Sequence, residues 1–154
     1  MDKSIEPSIK SENKSPLVFQ LSRVTKSWPG DRGFNLTVPS LTIRRGEKIA
    51  LVGFSGCGKS TLLDLLAMVL QPDNAEEFTF VTLDQKRLNV AKAWRQKNKN
   101  KLAQARIRFI GYVLQTGGLL PFLSVYDNIG LSLHGQGQPV QEAVKKLAVN
   151  ENQL

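Results

Sequence analysis

The stretch that decides the fold is Lys48-Ile49-Ala50-Leu51-Val52-Gly53-Phe54-Ser55-Gly56-Cys57-Gly58-Lys59-Ser60-Thr61-Leu62-Leu63. Gly53 to Ser60 fits G-x-x-x-x-G-K-[ST] in full, the pattern of a phosphate-binding loop, or P-loop. Lys48 to Val52 reads as a short apolar strand buried on both faces. Ser60 to Leu70 has helical character. Strand, glycine loop and helix in that order form the setting that such a loop requires. Phosphate oxygens must come close to successive backbone N–H groups, and a Cβ there would block the approach or forbid the dihedrals. The helix starting near Gly58 directs its N-terminal N–H groups and positive dipole end at the phosphates. Lys59 reaches the β and γ phosphates, Ser60 ligates Mg²⁺, and Thr61 adds a phosphate contact. A plain glycine-rich turn before a helix would explain neither Lys59 nor its position.

On the N-terminal side, Leu17 to Thr25 and Phe34 to Ile43 read as strands. The second is interrupted at Pro39, which suggests an edge or a bulge. Pro29-Gly30-Asp31 and Arg45-Gly46 are turns by their chemistry. Residues 1–15 are polar and read as a flexible tail. On the C-terminal side, Glu76 to Leu83 and Ile107 to Leu114 read as strands. Lys86 to Ala105, Val125 to Leu133 and Val140 to Ala148 read as helices. Strands alternating with helices predict an α/β fold: a P-loop NTPase core with a parallel sheet, fronted by an N-terminal antiparallel β region.

The chain has 154 residues, enough for one domain with a real core; 41% are apolar and 22% charged. One cysteine excludes an intramolecular disulfide framework, and one histidine argues against a His-based zinc site or a Ser/His/Asp triad. No apolar run is long enough for a transmembrane helix, and no secretory signal is visible. A cytoplasmic setting is the default. The net charge of +8 is local. Gln85 to Arg108 holds nine Lys or Arg and no acid, and the remainder is close to neutral. That window reads as a solvated helix face, with contact to a membrane-proximal partner next. Nucleic acid is not expected, because Trp94 is its only stacking aromatic.

Other residues narrow the class. Ser55-Gly56-Cys57-Gly58-Lys59-Ser60-Thr61-Leu62-Leu63 resembles the P-loop of ABC-type ATP-binding domains, and Arg45-Gly46-Glu47 resembles the approach to it. Ile110-Gly111-Tyr112-Val113-Leu114-Gln115 resembles that family's Q-loop, although an aromatic more often precedes the glutamine. Leu119-Leu120-Pro121-Phe122-Leu123-Ser124-Val125-Tyr126-Asp127-Asn128-Ile129 is similar to the stretch after it, in wording nearest the lipoprotein-release, macrolide-export and cell-division subgroup. The resemblance implies an ATP-binding subunit that works as a dimer on transmembrane permease subunits, peripheral on the inner face of the cell membrane. It implies ATP held by Gly53, Ser55, Gly56, Cys57, Gly58, Lys59, Ser60 and Thr61. Mg²⁺ would be held by Ser60 and Gln115, with Lys59 and Gln115 in catalytic roles. Trp28 stands where the family places an aromatic that stacks on adenine; otherwise it is a hairpin aromatic half in solvent.

Three further elements of that family find no match. Phe80-Val81-Thr82-Leu83-Asp84 echoes the acidic Walker B strand, but Gln85 follows it and it precedes the Q-loop. Leu131-Ser132-Leu133-His134-Gly135-Gln136 echoes the signature sequence with one residue too many, and His134 is no match for the switch histidine. Residues 16–154 are therefore expected to be a partial ATP-binding domain with an incomplete sheet, binding nucleotide and hydrolysing it poorly alone. Two other classes stay open: a small P-loop kinase, and a non-catalytic module that holds nucleotide or a polyanion. Cys57 fits as a small loop residue; a thiol lining the phosphate site is the alternative.

Overall fold

Alternating apolar residues in the N-terminal quarter make a long antiparallel hairpin of β1 (Leu17–Trp28) and β2 (Phe34–Arg44). The computed structural model describes residues 15–28, 33–113, 118–134 and 139–142. They fall into two compact units, one ending at Ala103 and the other starting at Gln104. In the first unit, β3 (Glu77–Val81) pairs with β1 and β4 (Arg87–Asn89) with β3. The sheet order is β2-β1-β3-β4, with every neighbour antiparallel.

Pro39 does lie on an edge strand, where its missing N–H removes no ladder bond from the sheet interior. The ladder joins Ser22 to Ser40 and Val24 to Val38, passing over Arg23 and Pro39. At this step both strands change face. The buried residues run Phe19, Leu21, then Val24 on β1, and Leu41, then Val38 and Leu36 on β2. Arg23 takes the turn in a left-handed conformation, φ +45°, which costs a non-glycine residue roughly 1–2 kcal/mol. Its guanidinium is held by Glu76 at 2.5 and 3.0 Å.

Leu21 is buried between Leu41 and Phe78, and Phe19 lies with its ring centroid 5.0 Å from that of Phe80. Each such side chain stabilises the fold by roughly 1.5–3 kcal/mol. Phe78 to Val81 are all buried, so β3 is covered on both faces. Helix α1 (Lys59–Leu66) adds Leu62 and Leu65 to the core. It is shorter than the expected Ser60–Leu70: Met68 donates to the Leu65 carbonyl and turns left-handed, φ +57°, which ends the helix.

Four expectations are corrected. Lys86–Ala105 is not one helix. It is β4, then α2 (Val90–Arg95), which packs on β3 and β4, then α3 (Lys99–Phe109). Asn89 caps α2 and Asn98 caps α3, and Lys97 between them has φ +54°. Ile107–Leu114 is not a strand: α3 runs through Phe109, and residues 110–113 are irregular, with Leu114 outside the described residues. Lys48–Val52 is an irregular segment with Val52 85% exposed. A strand exists only where a neighbour takes up its N–H and C=O groups, and these two segments have no ladder partner among the described residues. The expected parallel pairing is accordingly not seen among those residues, where the sheet is antiparallel throughout. The expected tail and most of Val140–Ala148 lie outside them.

In the second unit, α4 (Val125–His134) is the main element. Ser124 Oγ accepts from the Asp127 N–H at 3.1 Å, capping the helix, and donates to the Asp127 carboxylate at 2.8 Å. Asn128 reaches back over the preceding loop. Its Oδ1 accepts from the Leu120 N–H at 2.8 Å, and its Nδ2 donates to the carbonyls of Leu120, Leu123 and Ser124. Among the described residues no helix is long and apolar enough to cross a membrane.

Candidate phosphate-binding site

The loop from Gly53 to Gly58 is built by close approaches. The Cys57 N–H donates to the Phe54 carbonyl at 3.3 Å, closing a turn over Ser55 and Gly56. Gly58 follows at φ +103° and starts α1, its carbonyl accepting the Leu62 N–H at 2.9 Å. A Cβ on Gly58 would stand 2.8 Å from Phe34 Cζ and 3.1 Å from Leu36 Cδ1, both on β2. A Cβ on Gly53 would stand 2.7 Å from Cys57 Sγ. The glycines at the two ends of the motif are thus required by space as well as by backbone angle.

Gly58 offers no side-chain cap to α1, and the first turn holds no acid. The first N–H groups of a helix have no partner inside it, so this end presents donors and a positive dipole with no built-in anion. Ser60 is exposed and Thr61 half-buried on the same first turn. Lys59 curls back over the loop, its Nζ donating to the carbonyls of Gly53 at 2.9 Å and Phe54 at 2.8 Å and lying 3.7 Å from Cys57 Sγ. The ammonium ties the two ends of the loop together. Donors without a built-in acceptor, a cation held over the loop and a cradle that a Cβ would fill fit a phosphate chain.

Trp28 is linked to Gly58 through Phe34. It pairs across the hairpin with Phe34, the residue whose ring abuts Gly58. The indole is 48% exposed. Lys26 Nζ stands 5.3 Å from its ring centroid and is held by Asp73 Oδ1 at 2.7 Å, while Asp73 Oδ2 accepts the Ser27 N–H at 2.6 Å. Sequence reasoning missed Phe34 and Asp73. An aromatic directly opposite Trp28 across a short connection was the available signal for Phe34; nothing local marked Asp73. Gln115 lies outside the described residues. Asp84 belongs to the turn between β3 and β4: Lys86 and the Thr82 hydroxyl hold its carboxyl down at about 2.

A family model described as ABC transporter matches residues 36–153, well over half of the chain. The chain belongs to the ABC transporter family. It is an ATP-binding domain of that family and has the ABC ATPase fold. It is 31% identical over 143 residues to the lipoprotein-releasing system ATP-binding protein LolD of Oleidesulfovibrio alaskensis, covering 88% of this chain and 55% of the relative. It is 38% identical over 107 residues to the Fe(3+) ions import ATP-binding protein FbpC 2 of Haemophilus influenzae, covering 69% and 27%. The dimeric structure of the ABC transporter cassette MJ0796 superposes with a TM-score of 0.68 at 25% identity, over 88% of this chain and 59% of that one. A second structure of that cassette, bound to ADP and Pi, matches at the same TM-score and 24% identity. This ABC domain thus spans about half the length of the LolD relative it matches.

Proposed function

We propose that residues 16–154 are part of an ATP-binding domain that holds Mg-ATP and powers a transmembrane permease. The observation that carries this is the line Trp28–Phe34–Gly58, in which hairpin pairing and one ring contact join an aromatic platform to the phosphate cradle. In this reading the loop residues Gly53, Ser55, Gly56, Cys57, Gly58 and Thr61 hold the phosphates, Lys59 moves from the loop carbonyls to the terminal phosphates, and Trp28 stacks on adenine. Ser60 and Gln115 hold Mg²⁺, which when bound neutralises phosphate charge. Gln115 also senses the permease.

The active assembly is a dimer of ATP-binding domains on permease subunits at the inner face of the membrane. The likeness to LolD favours the lipoprotein-release subgroup. The acidic strand, signature and switch histidine find no match in these 154 residues, so this chain binds nucleotide and hydrolyses it poorly alone.

The test is Mg-ATP binding to the purified chain, with Lys59→Ala as control and turnover followed in the same samples. Binding that disappears with Lys59→Ala, at negligible turnover, is the expected result. A folded chain that binds no Mg-ATP sinks the proposal for these residues.

A further inference from the structure

The basic window is not a uniform face. Arg87 of β4, Lys92 of α2 and Lys101 of α3 line one cavity of about 290 Å³, together with Asn89, Gln96 and Asn98. Its size is at the lower edge of small-ligand pockets, roughly 300–1,000 Å³. The chemistry of the lining is one-sided. Asn89 Oδ1 accepts the Lys92 N–H at 2.8 Å, and Asn98 Oδ1 accepts the Lys101 N–H at 3.1 Å. Each asparagine has its amide oxygen engaged in capping a helix and still offers an NH₂ donor, while the Gln96 amide can donate or accept. Arg87 has one carboxylate in reach, Glu77 at a loose 3.7 Å, and no ion pair of Lys92 or Lys101 is found among the described residues. Three cations and two donor amides around one cavity carry a strong positive field that the protein itself leaves largely unanswered.

We infer that this cavity binds a phosphate-bearing anion, the guanidinium of Arg87 and the ammoniums of Lys92 and Lys101 converging on its oxygens. The site is separate from the P-loop and rests on neither its chemistry nor ATP. Single-stranded nucleic acid fits less well, since Trp94 is the only aromatic in this window, is only partly exposed, and buries its indole nitrogen. The anion is either a soluble phosphate or the headgroup of an acidic phospholipid.

The test resolves site and source. Backbone amide NMR shifts of the full chain are followed during titration with inorganic pyrophosphate, which reports the cavity residues and residues 53–61 separately. The chain is also sedimented with phosphatidylcholine vesicles, with and without phosphatidic acid. Lys92→Gln/Lys101→Gln removes two cations from the cavity; Lys97→Gln/Lys99→Gln removes the same charge outside its lining. Saturating shifts at residues 87–101, weakened about tenfold or more by the first pair and little by the second, establish a soluble phosphate site. Phosphatidic-acid-dependent sedimentation with the same dependence on the first pair establishes a headgroup site. Equal effects of the two pairs, or no saturable response in either arm, overturn the inference.

Discussion

Gly58 faces the tip of the Phe34 ring so closely that a Cβ would stop 2.8 Å from Phe34 Cζ. The ring therefore fixes where α1 begins, and with it where the helix N–H groups point. Gly58→Ala combines this clash with a left-handed backbone, and is expected to destabilise the chain by about 2–4 kcal/mol. Gly56→Ala, at φ +74° with open space around it, is expected to cost about 1 kcal/mol. Urea denaturation of both variants checks the difference; equal losses would remove the argument from contact.

Cys57 Sγ lies under Gly53 and 3.7 Å from Lys59 Nζ, and it is the only cysteine in the chain. If the loop holds phosphates, its closure around them shields the thiol. Mg-ATP is expected to slow alkylation of Cys57 several-fold, measured by intact mass after timed treatment with iodoacetamide. Identical rates with and without nucleotide would count against the loop as the phosphate site.

The Asp73 carboxyl is held below the ordinary carboxylate range, first by the hydrogen bond from Lys26 and then by that from the Ser27 N–H. The unfolded chain therefore takes up this proton before the folded one. The resulting stability is complete above about pH 4 and is lost as the pH falls through the lowered value. Asp73→Asn should be less stable than the parent at neutral pH, and the gap should narrow in acid. Melting temperatures of both chains from pH 7 to pH 3 give the comparison; a constant gap would deny the linkage.

The Asn128 side chain makes four hydrogen bonds to the backbone of residues 120–124. Asn128→Ala is expected to leave α4 formed through its Ser124 cap, while the loop before it loosens. Hydrogen exchange of the Leu120 amide, now donated to Asn128 Oδ1, should accelerate about tenfold or more. Unchanged exchange at Leu120 with intact α4 would refute this role.

How much was legible depended on whether a residue's role is local. Gly53, Gly58 and Lys59 announce themselves, because spacing within eight residues carries the whole loop. Pro39 marked an edge, because a missing N–H has a local meaning. Lys48–Val52 was misread for the opposite reason: its apolar run says what it would pair with, not whether a partner stands beside it. Lys86–Ala105 was misread because Asn89 and Asn98, both cap residues, were outweighed by an apolar spacing that persists across a strand and two helices. Asn128 has a role only once the loop from Leu120 to Ser124 is in place.

The change of face at Arg23 and Pro39 bears on how this hairpin tolerates evolution. Sliding β2 by one residue would bring its own change of face out of step with that of β1, setting exposed side chains against Leu21 or Val24. The correct alignment is thus written into the middle of the strands, not into the connection at residues 29–32. Insertions or deletions in that connection should leave the buried set of the hairpin unchanged, because the register is held by the strands themselves.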